Sequence, residues 1–96
     1  MDVKPKASGI NKELVISNSL GLHARAAAQL VKLASQFDSV ISLEKDGNVV
    51  DAKSVLSLLT LECPLGSKVY VHAEGEDSEA AVEALEHLIQ NNFGES

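Results

Sequence analysis

The chain has 96 residues, a length that supports one small hydrophobic core. Its formal net charge of −6 argues against nucleic acid as a partner, because nucleic acid attracts clustered Lys and Arg side chains. No apolar run reaches the roughly 18 residues of a membrane span, and the first residues lack the apolar core of a signal peptide. We therefore expect a cytoplasmic protein with no membrane insertion.

The first half of the chain contains the patterns of a strand, a helix and a hairpin. Residues 1–11 show no period and are expected to form a flexible tail ahead of a single domain over residues 12–96. Residues 13–16 predict a strand, and residues 24–37 carry apolar side chains every three or four positions, as in an amphipathic helix. Alternating residues around Asp46-Gly47 then predict a β-hairpin.

The second half of the chain predicts a helix, a strand and a helix. Ser54 can cap a short helix that runs through residue 61 and ends before Pro64. Residues 68–73 alternate apolar and polar side chains and predict a fourth strand. A last helix starts with Asp77 or Ser78 as its cap and ends before Gly94.

The predicted order is βαββαβα. Strands that alternate in this way bury one face only, so the helices are expected on that face. The sequence therefore predicts an α+β fold with two layers.

Three histidines are candidates for chemistry near neutral pH. His72 and His87 lie on the polar sides of a strand and a helix, and we interpret both as surface residues. His23 directly precedes the first helix, where backbone N–H groups without intrahelical partners and the helix dipole favour an anion. Arg25 adds a guanidinium that can bind phosphate oxygens through two hydrogen bonds.

An imidazole at this position can carry a phosphoryl group reversibly. One ring nitrogen can attack phosphorus, and the phosphorylated nitrogen remains a good leaving group. A histidine at a helix start is more often a cap or a surface residue, so position alone does not establish this role. No cofactor is expected, and neither a metal-ligand cluster nor a Gly-rich phosphate loop is present, which argues against an enzyme. Cys63 is interpreted as a small buried apolar side chain.

Two short segments, one around His23 and one around Ser54, carry recognisable motifs. Residues 21–27 read Gly-Leu-His-Ala-Arg-Ala-Ala. This string resembles the active-site segment of the histidine-containing phosphocarrier (HPr) family of the phosphoenolpyruvate-dependent phosphotransferase system, except at Ala26, where the family usually has proline. Residues 53–56 read Lys-Ser-Val-Leu, like the segment that carries the family's regulatory serine. The spacing of the two segments is also that of the family, and the resemblance extends over about residues 13–92.

The resemblance implies a four-stranded antiparallel sheet of order 1-4-2-3 with three helices on one side. It implies that Nδ1 of His23 accepts a phosphoryl group from enzyme I and passes it to IIA-type proteins, with Arg25 stabilising the phosphate. It further implies that Ser54 is a regulatory site for HPr kinase/phosphorylase. We expect a monomer, although the sequence itself does not determine the oligomeric state. Ala24, Val55 and Leu56 would contact partners, with Val55 and Leu56 in an exposed apolar patch, while Leu58, Leu59 and Leu61 enter the core.

Ala26 is the departure from the family pattern. Alanine lacks the fixed φ of proline, so we expect a helix start that is less stable by about 0.4 to 1 kcal/mol and chemistry that is unchanged.

Two alternatives remain beside a carrier for sugar transport. A regulatory or nitrogen-branch paralogue would use the same His23 chemistry to signal to other proteins. A binding module that keeps the fold but not phosphate carriage is the second, although the presence of both His23 and Arg25 argues against it.

Overall fold

The computed structural model describes residues 9–95, which follow the predicted order βαββαβα. The four strands are β1 (Ile10–Val15), β2 (Val40–Lys45), β3 (Asn48–Asp51) and β4 (Lys68–Glu74). The three helices are α1 (Ala24–Ala34), α2 (Val55–Leu59) and α3 (Ser78–Gln90), and a short turn over Asn92–Gly94 follows α3.

The strands form one antiparallel sheet in the order β1-β4-β2-β3. Side chains alternate across each strand, so one face of the sheet packs against the helices and the other is left to polar residues. The core combines the inward side chains of the strands with the apolar stripes of the helices. Its largest fully buried apolar side chains are Ile16, Leu30, Ile41, Leu43, Leu58, Leu85, Ile89, Val69 and Val71. The predicted α+β architecture and strand order are confirmed.

The β2–β3 hairpin turns at the predicted dipeptide. Asp46 has φ 51° and Gly47 has φ 84°, the pair of positive values that a two-residue type I′ turn requires. Residues Ser42 to Lys45 pair with Asp51 to Asn48 across it.

β1 starts earlier than the sequence pattern predicts. Ile10 and Asn11 belong to the strand and pair with Ala73 and His72 of β4, so the ordered domain begins before residue 12. The pattern missed them because Lys12 takes an inward position between Ile10 and Leu14, with its ammonium 3.4 Å from the Glu86 carboxylate on α3. The rest of the predicted tail, residues 1–8, lies outside the described residues.

Ser54 is the N-cap of α2, as predicted. Its hydroxyl accepts a hydrogen bond from the Ser57 N–H at 3.2 Å. The helix ends at Leu59 rather than at residue 61, and Thr60 is its C-cap. The Lys45 ammonium lies 2.6 Å from the Glu62 carbonyl oxygen and satisfies one of the carbonyls beyond the helix end.

Asp77 precedes α3, but its carboxylate does not cap that helix. It accepts hydrogen bonds from the N–H groups of Asp38 and Ser39, at 2.8 and 2.9 Å, and from the Ser39 hydroxyl. Asp77 is therefore the N-cap residue of α3, as predicted, but its carboxylate ties the loop between α1 and β2 to the start of the helix instead of capping it. These hydrogen bonds, the one from the Ser39 hydroxyl first, lower the pKa of Asp77.

Gly21 brings two loops into direct contact ahead of α1. Its φ is 68°, and a Cβ at this position would lie 2.4 Å from the Cys63 carbonyl oxygen and 2.8 Å from Cα of Pro64. The next N–H group, that of Leu22, donates to the same Cys63 carbonyl at 2.8 Å. Only glycine fits here, since both the backbone conformation and the space exclude a side chain.

The lowered pKa of Asp77 predicts a loss of stability in acid. A carboxyl whose folded pKa lies below its ordinary value of 3.8 stabilises the fold above that value and loses this contribution as the pH falls through the folded pKa. Asp77→Asn should therefore lower the Tm at pH 7 and reduce the further fall in Tm between pH 5 and pH 2. Thermal melts across this range test it. The control Glu76→Gln removes one negative charge from the neighbouring exposed residue. Its Tm should fall between pH 5 and pH 2 by as much as that of the native chain.

The contact at Gly21 predicts a large cost for Gly21→Ala. Gly47→Ala is the matched control, because Gly47 also has a positive φ but nothing lies within 4 Å of an added Cβ. Gly47→Ala should cost about 1 to 2 kcal/mol, the penalty for a left-handed conformation. Gly21→Ala should cost about 2 kcal/mol more, since backbone atoms must move. Urea denaturation measures both, and equal costs would show that the close approach to Cys63 has no energetic weight.

Candidate functional site

His23 is the N-cap residue of α1. Its backbone is extended, with φ −77° and ψ 177°, and its side chain makes no capping hydrogen bond. The Ala27 N–H donates to the His23 carbonyl at 2.8 Å and is the first N–H of the helix to do so. The preceding N–H groups of residues 24–26 therefore have no intrahelical acceptor, and with the helix dipole they favour an anion next to the imidazole.

The first turn of α1 adds positive charge to this end of the helix. Arg25 and Ala24 are exposed, and no acidic residue occupies the turn. Ala26 is fully buried, so the side chain at which this sequence departs from the family pattern packs into the core. The expected effect of Ala26 on the stability of the helix start stays a prediction.

A carboxylate that the sequence did not predict holds the His23 ring. Nε2 of His23 lies 2.9 Å from Oε1 of Glu95 and 3.0 Å from Oε2. An ionised carboxylate only accepts hydrogen bonds, so Nε2 must carry the proton. In the neutral ring the lone pair is then on Nδ1, and among residues 9–95 no hydrogen bond is made to that atom.

Asn18 fixes the Glu95 carboxylate in turn. This fully buried side chain donates from Nδ2 to the Gly21 carbonyl at 2.7 Å and to Oε1 of Glu95 at 2.8 Å. Both partners are acceptors, which determines the orientation of the amide. The hydrogen bond from Asn18, followed by those from His23, lowers the pKa of Glu95 and keeps the carboxylate charged.

The turn after α3 directs Glu95 towards His23. Asn92, Phe93 and Gly94 all have positive φ values, 57°, 55° and 77°, so the chain reverses direction with a left-handed twist. Phe93 is buried in the core, and Ser17 Oγ lies 2.5 Å from Asn92 Oδ1. Sequence reasoning missed Glu95 because a contact between residues at opposite ends of the chain leaves no local period or motif.

The other predicted site residues lie on α2, which packs against α1. Ser54 is half-buried at the helix start, and the structure shows no hydrogen bond between it and His23. Leu56 is 79% exposed, in line with a surface role. Val55 is half-buried and packs against the core, so the prediction that it is exposed was wrong. The reason is that Val55, the first residue of the helix, packs against the core. Of the three leucines predicted to enter the core, Leu58 and Leu61 are buried and Leu59 is half-buried.

The remaining titratable candidates do not extend the site. Cys63 is buried, and this burial is the main reason that its pKa is raised, which disfavours the reactive thiolate. His72 pairs with Glu44 at 2.7 Å on the open face of the sheet, and His87 is exposed on α3. Within residues 9–95, no group of three or more His, Cys, Asp and Glu side chains is placed to hold a metal ion.

Comparison with known proteins agrees with this geometry. Residues 10–91 match the family described as the PTS HPr component phosphorylation site. The chain is 42% identical to phosphocarrier protein HPr of Cupriavidus necator over 86 residues, which cover 90% of this chain and 97% of that protein. It is 39% identical to phosphocarrier protein NPr of Shewanella violacea, covering 91% of this chain and 96% of that protein.

Solved structures show the same fold. The HPr-C-His protein of Thermoanaerobacter tengcongensis superimposes with a TM-score of 0.88 and is 44% identical, over 91% of this chain and 98% of that chain. Phosphocarrier protein HPr of Bacillus anthracis gives a TM-score of 0.84 at 38% identity, over 86% of this chain and 99% of that chain. The chain therefore belongs to the HPr family of phosphocarrier proteins.

Proposed function

We propose that Nδ1 of His23 accepts a phosphoryl group from enzyme I and passes it to IIA-type proteins of the sugar phosphotransferase system. The observation that carries this proposal is the His23 ring at the start of α1, with Nε2 against the Glu95 carboxylate and no hydrogen bond to Nδ1 from any of residues 9–95. The protein would be a substrate and carrier in this transfer rather than an enzyme.

Positioning and charge explain how the site would serve the transfer. The acceptor nitrogen is fixed on a rigid element, and the free N–H groups of the first turn would meet the transferred phosphoryl oxygens. Arg25, two residues into the helix, would neutralise part of their charge. No cofactor or metal is needed for these roles.

The proposed partners would dock around His23. Ala24 and Leu56 are exposed, and a small apolar contact area favours the short-lived complexes that a carrier needs. Val55 contributes less surface than the sequence pattern suggests, because it is half-buried. We further propose that the protein acts as a cytoplasmic monomer. None of the helices in the described part of the chain is long and apolar enough to cross a bilayer.

Incubation with phosphoenolpyruvate and enzyme I tests the carrier function. Mass analysis should show the gain of one acid-labile phosphate. His23→Ala should abolish it, and His87→Ala, which removes an exposed imidazole on α3, should not. Arg25→Ala should keep the phosphorylation site but react more slowly, by about 10-fold or more. Phosphate that persists in His23→Ala would contradict the assignment.

Ser54 is proposed as a regulatory site for HPr kinase/phosphorylase. It lies at the N-terminus of α2, a helix that packs on α1, so a phosphate there would add about −1.5 to −2 charge close to the docking surface. Its structural role as a cap does not depend on this regulation.

Ser54→Asp tests the effect of negative charge at the start of α2. Aspartate and asparagine both cap helices well, so Ser54→Asn is a control of almost identical shape that carries no charge. Ser54→Asp should accept phosphate from enzyme I several-fold more slowly than Ser54→Asn, which should react like the native chain. Equal rates in the two variants would exclude charge-based regulation at this position.

A nitrogen-branch role is the second candidate, favoured by the similarity to phosphocarrier protein NPr of Shewanella violacea. The same His23 chemistry would then signal to proteins outside transport. Phosphorylated chain mixed with candidate IIA-type proteins separates the two roles, because the partner that removes the phosphate fastest identifies the branch.

A further inference from the structure

We infer that Glu95 is a positioning residue that keeps the proton on Nε2 of His23 and balances the positive charge that the ring gains when Nδ1 binds phosphorus. This inference rests on the proposed function. It concerns a residue outside the matched residues 10–91, and both of its carboxylate oxygens lie within hydrogen-bond distance of the ring.

The contact geometry selects one tautomer. Both carboxylate oxygens lie within 3.0 Å of Nε2, and Asn18 anchors one of them at 2.8 Å from a fully buried position. A proton on Nδ1 would leave two lone-pair groups, Nε2 and the carboxylate, facing each other at hydrogen-bond distance. The carboxylate therefore directs the Nδ1 lone pair outward, as carboxylates do for other functional histidines.

The same contact assists the transfer in both directions. In the acceptance step, the Nδ1 lone pair forms a bond to phosphorus while the bond between phosphorus and the donor atom breaks, and the electron pair of that bond returns to the donor. Nε2 keeps its proton, so the His23 ring becomes a cation that Glu95 neutralises. In the donation step, the P–N bond breaks and its electrons return to Nδ1, so that a neutral imidazole leaves rather than an imidazolate anion.

The His23–Glu95 pair is partly shielded from solvent but remains accessible. The His23 side chain is 25% exposed and that of Glu95 is 22% exposed, so the charge interaction is stronger than at an open surface while the ring remains accessible. Two contacts hold the turn between α3 and Glu95 in place: the buried Phe93 side chain and the hydrogen bond from Ser17 to Asn92. Glu95 is thus held by the fold rather than by the His23 contact alone.

Glu95→Gln tests the inference, with Glu83→Gln as the matched control. Glu83 is exposed on α3, so its replacement removes one negative charge without touching His23. Two-bond ¹H–¹⁵N spectra of the unphosphorylated chain should show the Nε2–H tautomer in the native protein and in Glu83→Gln. They should show a mixture of tautomers in Glu95→Gln. A native ring protonated on Nδ1 would overturn the inference whether or not the chain carries phosphate.

Transfer rates give the second readout. Phosphorylation should be about 10-fold slower in Glu95→Gln than in Glu83→Gln, the size of effect found for residues that orient a functional histidine. The rate is measured both with enzyme I and with phosphoramidate, a small donor that needs no docking surface. A loss seen only with enzyme I would make Glu95 a docking residue, and a rate within twofold of native or above it would exclude a positioning role. A native chain that takes no phosphate from enzyme I would instead contradict the proposed function.

Discussion

The close approach between Gly21 and the Cys63 carbonyl determines where the site can form. Because Gly21 has no side chain, the loop before α1 can lie directly against the Cys63–Pro64 segment. The Leu22 N–H then donates a hydrogen bond to the Cys63 carbonyl. The chain then enters α1 in one direction, with His23 as the N-cap residue. For the proposed phosphoryl transfer, this backbone path sets the point from which the His23 side chain projects, while Glu95 holds the ring itself.

Electrostatic balance at the site depends on where charge is absent as well as on where it is present. The chain carries a net charge of −6, yet the first turn of α1 contains Arg25 and no acidic residue. Glu95 is the carboxylate bonded to the imidazole, and it approaches the edge opposite Nδ1. A positively charged phosphorylated ring would therefore have one negative group on each side, the Glu95 carboxylate at Nε2 and the phosphoryl group on Nδ1. In the proposed transfer, this arrangement would favour a phosphohistidine that forms readily and also transfers readily, which is the balance that a carrier requires.

Local patterns predicted most of the fold because the residues concerned act on their near neighbours. Asp46-Gly47 specified the hairpin through its positive φ values, and Ser54 specified the start of α2 through one hydrogen bond to the next turn. His23 and Arg25 were proposed as site residues for the same reason, since both belong to one short segment at a helix start. The hydrogen bonds of Asp77 and Glu95 were not predicted, because their partners lie 38 and 72 residues away along the chain. Local propensity does not encode such contacts, which form only when the sheet brings distant loops together.

The left-handed turn over Asn92–Gly94 has a practical consequence for anyone who produces this protein. Because the turn places Glu95 against the imidazole, a purification tag or a fluorescent protein joined directly after Glu95 would start next to His23 and crowd the ring.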